Sequence, residues 1–269
     1  MYRAYYQLKK AVNQKSIAVQ DLFVSNGFKE ARARLDYMKD KGGFVLVSGN
    51  PGCGKTTLLR AFAESLDGKF FKSIYIALST VSIIGFYRQM AFLLAGEIAH
   101  KKELLFGLIQ KTIYEMAVDQ STIPVIILDD AQYLKNENFF ELQLISNFNF
   151  DSLSPAIFIL IAQPHLLERL KRPAFDSFYQ RINLKINLQP FTLDETRGFI
   201  SQVIKKASAS TGSQPENLFT PQAVQFIFKR SKGLPRLITS IMEQALIYGA
   251  ANQLSTIDEN VICAIESEL

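Results

Sequence analysis

A chain of 269 residues, 48% hydrophobic and 20% charged, is long enough for one large domain or two coupled ones and can bury a sizeable core. The net charge of +5 admits an anionic partner without requiring one, and the two cysteines, Cys53 and Cys263, build neither a disulfide framework nor a metal site, which fits a reducing cytoplasm. Met1–Lys10 lacks the apolar core of a signal peptide, and the longest purely apolar run, Ala156–Ala162, is far short of the roughly 18 residues of a membrane helix, so a soluble protein without a membrane partner is expected.

In chain order, a short arm (Tyr2–Gln20) precedes a helix expected over Phe28–Lys41, where Phe28, Ala31, Leu35 and Met38 repeat at the helical period. Strands are expected at Phe44–Ser48, Ser73–Ala77, Val125–Leu128 and Ala156–Ala162. Each is mostly apolar without polar alternation, as in parallel strands covered on both faces. Helices are expected between them at Lys55–Leu66, Ile84–Ala99, Lys102–Val118 and Asn138–Asn147, and a fifth short strand at Lys185–Leu188. The alternation predicts a doubly wound α/β parallel sheet sandwiched by helices.

After Pro190 the pattern becomes helical: Leu193–Ala209, Pro221–Arg230, Pro235–Ala251 and Asp258–Glu268, punctuated by Gly212, Pro215, Gly233 and Pro235. Thr192-Leu-Asp-Glu195 has the form of a capping box opening the first of these. The expected organisation is an arm (1–21), an α/β domain (22–190) and a small all-helical domain (191–269).

Gly49, Asn50, Pro51, Gly52, Cys53, Gly54, Lys55 and Thr56, continued by Thr57, match G-x-x-x-x-G-K-[ST] between an expected strand and an expected helix. Glycines there let backbone N–H groups curl around phosphate oxygens, and the helix that follows offers the positive end of its dipole. Lys55 is expected on the β and γ phosphates of ATP and Thr56 on Mg²⁺. A Gly/Pro turn matching by chance is the alternative.

Val125-Ile-Ile-Leu-Asp129-Asp130 is an apolar strand ending in two carboxylates. Asp129 is expected beside Mg²⁺ and Asp130 where it polarises an attacking water; a solvated acidic strand end is the plainer reading. Gln163 closes the next strand, where a polar side chain can sense the γ phosphate, although glutamine is common at strand ends. Arg181 precedes the fifth strand and could act as a finger on a neighbouring subunit's γ phosphate, or form an ordinary surface ion pair. Arg236, in Gly233-Leu-Pro-Arg236, would project back towards the phosphates of its own subunit or stand solvated at a helix start.

The ordered set GNPGCGKTT, VIILDDAQ, LIAQPHL, QRI and GLPR resembles the ExeA-like branch of the AAA+ ATPases over roughly residues 22–265. That branch includes stand-alone transposition regulators of the TniB and TnsC type, with the phage Mu B protein more distant. The resemblance implies a P-loop AAA+ fold with a helical lid. It also implies Walker A at Lys55 and Thr56, Asp129 on Mg²⁺ and Asp130 as catalytic acid. Gln163 would be sensor 1, Arg181 the trans arginine and Arg236 sensor 2. Where that family usually has Asp-Glu-Ala-Gln, this chain has Asp129-Asp-Ala-Gln132, one methylene shorter at the catalytic position, so slow turnover is expected.

Secretion-type members of that family carry a membrane segment and a peptidoglycan-binding part after the ATPase, whereas this sequence ends at Leu269 after the lid helices. A transposition helper is therefore expected: ATP-bound copies assemble as a ring or filament on double-stranded DNA, without sequence preference, and engage a transposase. Arg3, Lys9, Lys10 and Lys15, Lys101 and Lys102, and Arg169, Lys171 and Arg172 could supply phosphate contacts, with a solvated face as the alternative for each cluster. Ser79 and Thr80 could contact a DNA backbone or cap a helix, and His100 and His165 read as surface residues. Two other classes stay open: service to a secretion or envelope process through a membrane partner, and a nucleotide-gated scaffold that hardly hydrolyses ATP.

Overall fold

The computed structural model describes residues 2–13, 17–77, 82–208 and 218–265. Lys15, Ser79, Thr80, Gly212 and Pro215, named above, lie outside the described residues. The chain divides into two compact units. An α/β unit gathers Gly27–Gly49 and Lys55–Leu188, and a helical unit gathers Met1–Asn26, Asn50–Gly54 and Gln189–Leu269.

The strands of the α/β unit are β1 (Gly43–Gly49), β2 (Phe71–Ile76), β3 (Ile123–Leu128), β4 (Ile157–Ala162) and β5 (Ile182–Leu188), all parallel, in the order β2-β3-β4-β1-β5. Register runs from Gly43↔Ile157 to Ser48↔Ala162 on one side of β4 and from Val125↔Ile157 to Leu128↔Leu160 on the other. β4 therefore lies between the strand that leads into the glycine loop and the strand that leads into the paired aspartates.

β1, β3 and β4 are buried almost throughout, as continuous apolar runs require. The edge strands alternate, which for β2 departs from the expected mostly apolar run. In β2, Ile74 and Ile76 are buried while Lys72, Ser73 and Tyr75 are exposed, and β5 alternates in the same way. Each edge strand also starts earlier than expected, at Phe71 and at Ile182, because ladder pairing extends back to Phe71↔Ile123 and Phe44↔Ile182.

The helices preceding residue 189 are α1 (Tyr2–Tyr5), α2 (Asn26–Tyr37), α3 (Lys55–Glu64), α4 (Ile83–Ala95), α5 (Lys102–Tyr114), α6 (Asn136–Ile145), α7 (Pro164–Leu170) and α8 (Asp176–Gln180). One sheet face, with Phe44, Leu46, Ile126 and Phe158, packs against α4 to α8, where Phe86, Met90, Ile109, Phe139 and Phe178 are fully buried. Each side chain of this size contributes about 1.5–3 kcal/mol when removed from water. α3 lies against β1 and buries Leu58, Leu59 and Phe62. The short α7 and α8 leave too few turns for a periodic signal in the sequence.

The helical unit contains α9 (Leu193–Ala207), α10 (Pro221–Ser231), α11 (Pro235–Ala251) and α12 (Glu259–Ala264). Ile200, Ile227, Ile238, Met242 and Leu246 form a second core, into which Tyr2, Tyr6, Leu8 and Val12 also insert. The Tyr6 hydroxyl donates to the Leu254 carbonyl at 2.8 Å, and the Lys9 N–H donates to the Ala207 carbonyl at 2.7 Å. α9 opens on the expected reciprocal cap: Thr192 Oγ1 accepts from the Glu195 N–H, and Glu195 Oε2 accepts from the Thr192 N–H. Gly233 (φ 72°) sets the entry to α11, since a Cβ there would stand 2.1 Å from the Phe191 carbonyl oxygen. Among the described residues no helix is long and apolar enough to cross a membrane.

Candidate nucleotide-binding site

β1 ends at Gly49 and α3 begins at Lys55, and the loop between them turns through Gly52 at φ 79° and Gly54 at φ 96°. Both angles lie in the left-handed region that glycine enters without a Cβ penalty. The Cys53 N–H donates to the Asn50 carbonyl at 3.2 Å, and Cys53 is buried. Pro51 lies within this turn and Thr57 in the first turn of α3. The Lys55 ammonium donates to the Gly49 carbonyl at 2.8 Å, a neutral acceptor weaker than an anionic oxygen.

Within the helical unit, the first turn of α11 meets this loop. The Arg236 N–H donates to the Gly52 carbonyl at 3.3 Å, and a Cβ on Gly52 would lie 2.9 Å from the Arg236 Cβ. Glycine at 52 is thus required twice, by its positive φ and by this approach.

β3 hands over directly to Asp129, whose N–H donates to the Ile76 carbonyl at 2.9 Å. Its carboxylate accepts three hydrogen bonds. Thr56 Oγ1 donates to Oδ2 at 3.2 Å, the Tyr75 hydroxyl donates to Oδ2 at 2.5 Å, and the Asp130 N–H donates to Oδ1 at 2.8 Å. Burial, then the hydrogen bond to Asp129 and the charges of Asp129 and Asp130, hold the Tyr75 phenol far above its ordinary pKa, so it stays a donor. Thr56 and Asp129 bring two hard oxygens together beside Lys55. That donor set suits Mg²⁺, which binds through one or two protein oxygens and fills its remaining positions with waters and phosphate oxygens. The residues present fit a magnesium nucleotide.

Asp130 sits in the left-handed region at φ 50°, ψ 39°, which aspartate tolerates better than most residues. Its exposed carboxylate accepts from Gln132 Nε2 at 2.9 Å, and Gln132 Oε1 accepts the Gln163 N–H at 3.1 Å. One buried side chain therefore ties the end of β4 to the acidic turn after β3. Gln163, at the N-cap of α7, is drawn to Asp130 through Gln132.

Arg181 directly precedes β5, at the start of the strand, whereas Asp129 and Lys55 follow strand ends. Its Nη1 pairs with Asp151 Oδ1 at 2.5 Å, so Arg181 stands apart from the Lys55–Asp129–Asp130 group within its own chain. Arg169 is not a free member of a basic patch. Its guanidinium donates to the carbonyls of Gln132 (3.1 Å) and Leu134 (3.0 Å) and lies 5.0 Å from the Phe139 ring centroid, with its pKa lowered by burial and then by Arg172. Lys102 is likewise engaged with Glu141, which also accepts from the Tyr87 hydroxyl. His100 and His165 are exposed.

Sequence reasoning assigned no role to Tyr75 or Gln132, and it read Arg169 as a phosphate contact or a solvated charge. Gln132 was in view as the last residue of DDAQ, a polar side chain next to an apolar strand. Tyr75 becomes visible only through the β2–β3 register, which pairs it with Ile127 and so places it diagonally across from Asp129.

Residues 38–170 match the AAA domain family. Over 255 residues the chain is 30% identical to General secretion pathway protein A of Aeromonas hydrophila, an alignment that covers 92% of this chain and 44% of that protein. The chain thus spans less than half the length of this relative. Among solved structures, the Aeropyrum pernix ORC2 protein in its ADPNP–ADP complexes aligns with a TM-score of 0.70 at 17% identity, over 95% of this chain and 71% of that one. Drosophila ORC bound to DNA aligns with a TM-score of 0.65 at 17% identity, over 98% and 63%. The strand order, the glycine loop and these matches together show the AAA+ P-loop fold, with an AAA domain over residues 38–170 and sequence similarity to General secretion pathway protein A.

Proposed function

We propose that this chain binds ATP with Mg²⁺ and hydrolyses it slowly, as a timed switch. The observation that carries the reading is the meeting of Thr56 Oγ1 and Asp129 Oδ2 at 3.2 Å, with Lys55, the residue before Thr56, donating to the Gly49 carbonyl. Lys55 would exchange the Gly49 carbonyl for β and γ phosphate oxygens, while the N–H groups of Asn50 to Thr57 line the phosphates. Thr56 and Asp129 would hold Mg²⁺, which supplies positive charge against the phosphates. Asp130 would accept the proton of an attacking water, and Gln163 would help orient that water. Arg236 would read the phosphates from its position over Gly52, and Arg181 would act across a subunit boundary. The short Asp130 side chain, held by Gln132, favours slow turnover.

We further propose that nucleotide state gates assembly of further copies on double-stranded DNA, where the assembly engages a transposase. Support comes from the net charge of +5 and from exposed Arg3, Lys9, Lys10, Lys101 and Arg172. A protein of the same fold, Drosophila ORC, is known in a complex with DNA. A second reading, service to a secretion or envelope process, is favoured by the 30% identity with General secretion pathway protein A.

Duplex DNA binding across a salt series, with ATP, ADP and no nucleotide, separates the two readings. The DNA reading expects affinity that is highest with ATP, falls steeply with salt and ignores sequence. Equal, weak binding in all three states overturns it and leaves the envelope reading. ATP binding without measurable turnover would reduce the enzyme to a nucleotide-gated scaffold.

A further inference from the structure

Asp129 is the most heavily hydrogen-bonded carboxylate of the candidate site, and one of its three donors belongs to no motif. Tyr75 stands on β2, paired in register with Ile127 of β3. Side chains alternate along a strand, so Tyr75, Ile127 and Asp129 share one face of the sheet. The Tyr75 hydroxyl reaches Asp129 Oδ2 at 2.5 Å, the same oxygen that Thr56 Oγ1 reaches at 3.2 Å, while Oδ1 takes the Asp130 N–H at 2.8 Å.

The Tyr75 side chain is 50% exposed on an edge strand, so core filling does not account for a tyrosine there. Neighbouring exposed positions of the same strand, Lys72 and Ser73, are small or flexible polar residues. What distinguishes position 75 is a hydroxyl at the right height to meet the carboxylate.

We infer that Tyr75 is a positioning residue for Asp129: its hydroxyl fixes the carboxylate rotamer that presents an oxygen to Mg²⁺ beside Thr56. The inference rests on the proposed magnesium-nucleotide site. Hydrogen bonds behind a metal-binding carboxylate fix its orientation before the metal arrives, and removing one typically weakens metal affinity about 10–100-fold. The Asp130 N–H holds Oδ1, and on Oδ2 Thr56 approaches at a longer distance than Tyr75. The Tyr75 hydroxyl is thus the closest restraint on the oxygen that faces Thr56, and it comes from a separate element, β2.

The test is Tyr75→Phe, which keeps the ring and removes the hydroxyl. ATP affinity is measured by calorimetry on the full chain, in EDTA and across a Mg²⁺ titration, for the parent, Tyr75→Phe, Asp129→Asn and the double variant. Tyr75→Phe should leave affinity in EDTA within about twofold and raise the Mg²⁺ concentration for half-maximal coupling by about 10-fold or more. In the Asp129→Asn background the same change should add almost nothing, because the group it positions is gone. A Mg²⁺ midpoint within twofold of the parent, equal losses with and without Mg²⁺, or a full additional effect on top of Asp129→Asn would each overturn the inference. A parent protein whose ATP binding ignores Mg²⁺ would instead overturn the site reading on which it rests. A thermal melt of each variant identifies any loss that comes from unfolding, and the Asp129→Asn cycle then still reads the coupling.

Discussion

Arg181 Nη1 and Asp151 Oδ1 meet at 2.5 Å, and the acid in this pair sits on a turn in which Asn149, Phe150 and Asp151 all adopt positive φ, at 47°, 57° and 67°. Left-handed backbone at a non-glycine residue costs on the order of 1–3 kcal/mol and persists where surroundings over-determine it. The turn presents Asp151 to Arg181 and leaves Phe150 fully exposed. A single chain thus holds Arg181 on an internal partner.

Arg181→Ala should keep ATP binding but lose hydrolysis and cooperative assembly, if Arg181 acts across a subunit boundary. Mixing it with Lys55→Ala should restore part of the activity, since each copy supplies what the other lacks. Asp151→Ala, which frees Arg181, should lower the protein concentration needed for assembly. Turnover measured against protein concentration checks all three, and full activity of Arg181→Ala alone removes it from the mechanism.

Asp130→Asn should lower turnover about 100-fold or more, as loss of a general base does, while leaving ATP affinity unchanged. Asp130→Glu restores the methylene and should raise turnover above the parent. Single-turnover hydrolysis with bound ATP reads both. Parent-like turnover in Asp130→Asn would assign the water-activating role elsewhere.

The parts of this site that were legible in sequence are those that carry their own backbone rules. Gly52 and Gly54 announce a turn that only glycine enters, and the unbroken run Val125–Leu128 announces a covered strand with carboxylates at its end. Tyr75 was hidden because strand pairing, which no local pattern encodes, brings it to Asp129. Gln132 and Arg169 were hidden because their work is tertiary: one bonds the end of β4, the other bonds carbonyls 37 and 35 residues away. The N-terminal residues read as an arm, yet Tyr2 and Tyr6 are buried through contacts with residues more than 240 positions later.

Arg169→Ala should destabilise the fold by roughly 1.5–3 kcal/mol per hydrogen bond left unmade at the Gln132 and Leu134 carbonyls. Arg169→Lys should recover only part of this, because an ammonium lacks the planar fork that reaches both carbonyls. Urea unfolding followed by far-UV circular dichroism gives the comparison. Wild-type stability in Arg169→Ala would return this residue to the solvent-facing charges.

Gly52→Ala should impair ATP binding and lower the melting temperature together. The added Cβ is strained at φ 79° and would lie 2.9 Å from the Arg236 Cβ, so the loop or the start of α11 must shift. Unchanged ATP affinity and unchanged melting would contradict the close approach of α11 to the loop.

The most direct measurement is ATP affinity of Lys55→Ala against the parent chain, by calorimetry with Mg²⁺ present. The ammonium now resting on the Gly49 carbonyl is the group proposed to take the β and γ phosphates, so its removal should abolish binding or weaken it at least about 10-fold, with the melting temperature unchanged. Parent-like ATP affinity in Lys55→Ala would contradict the assignment of this loop as the nucleotide site.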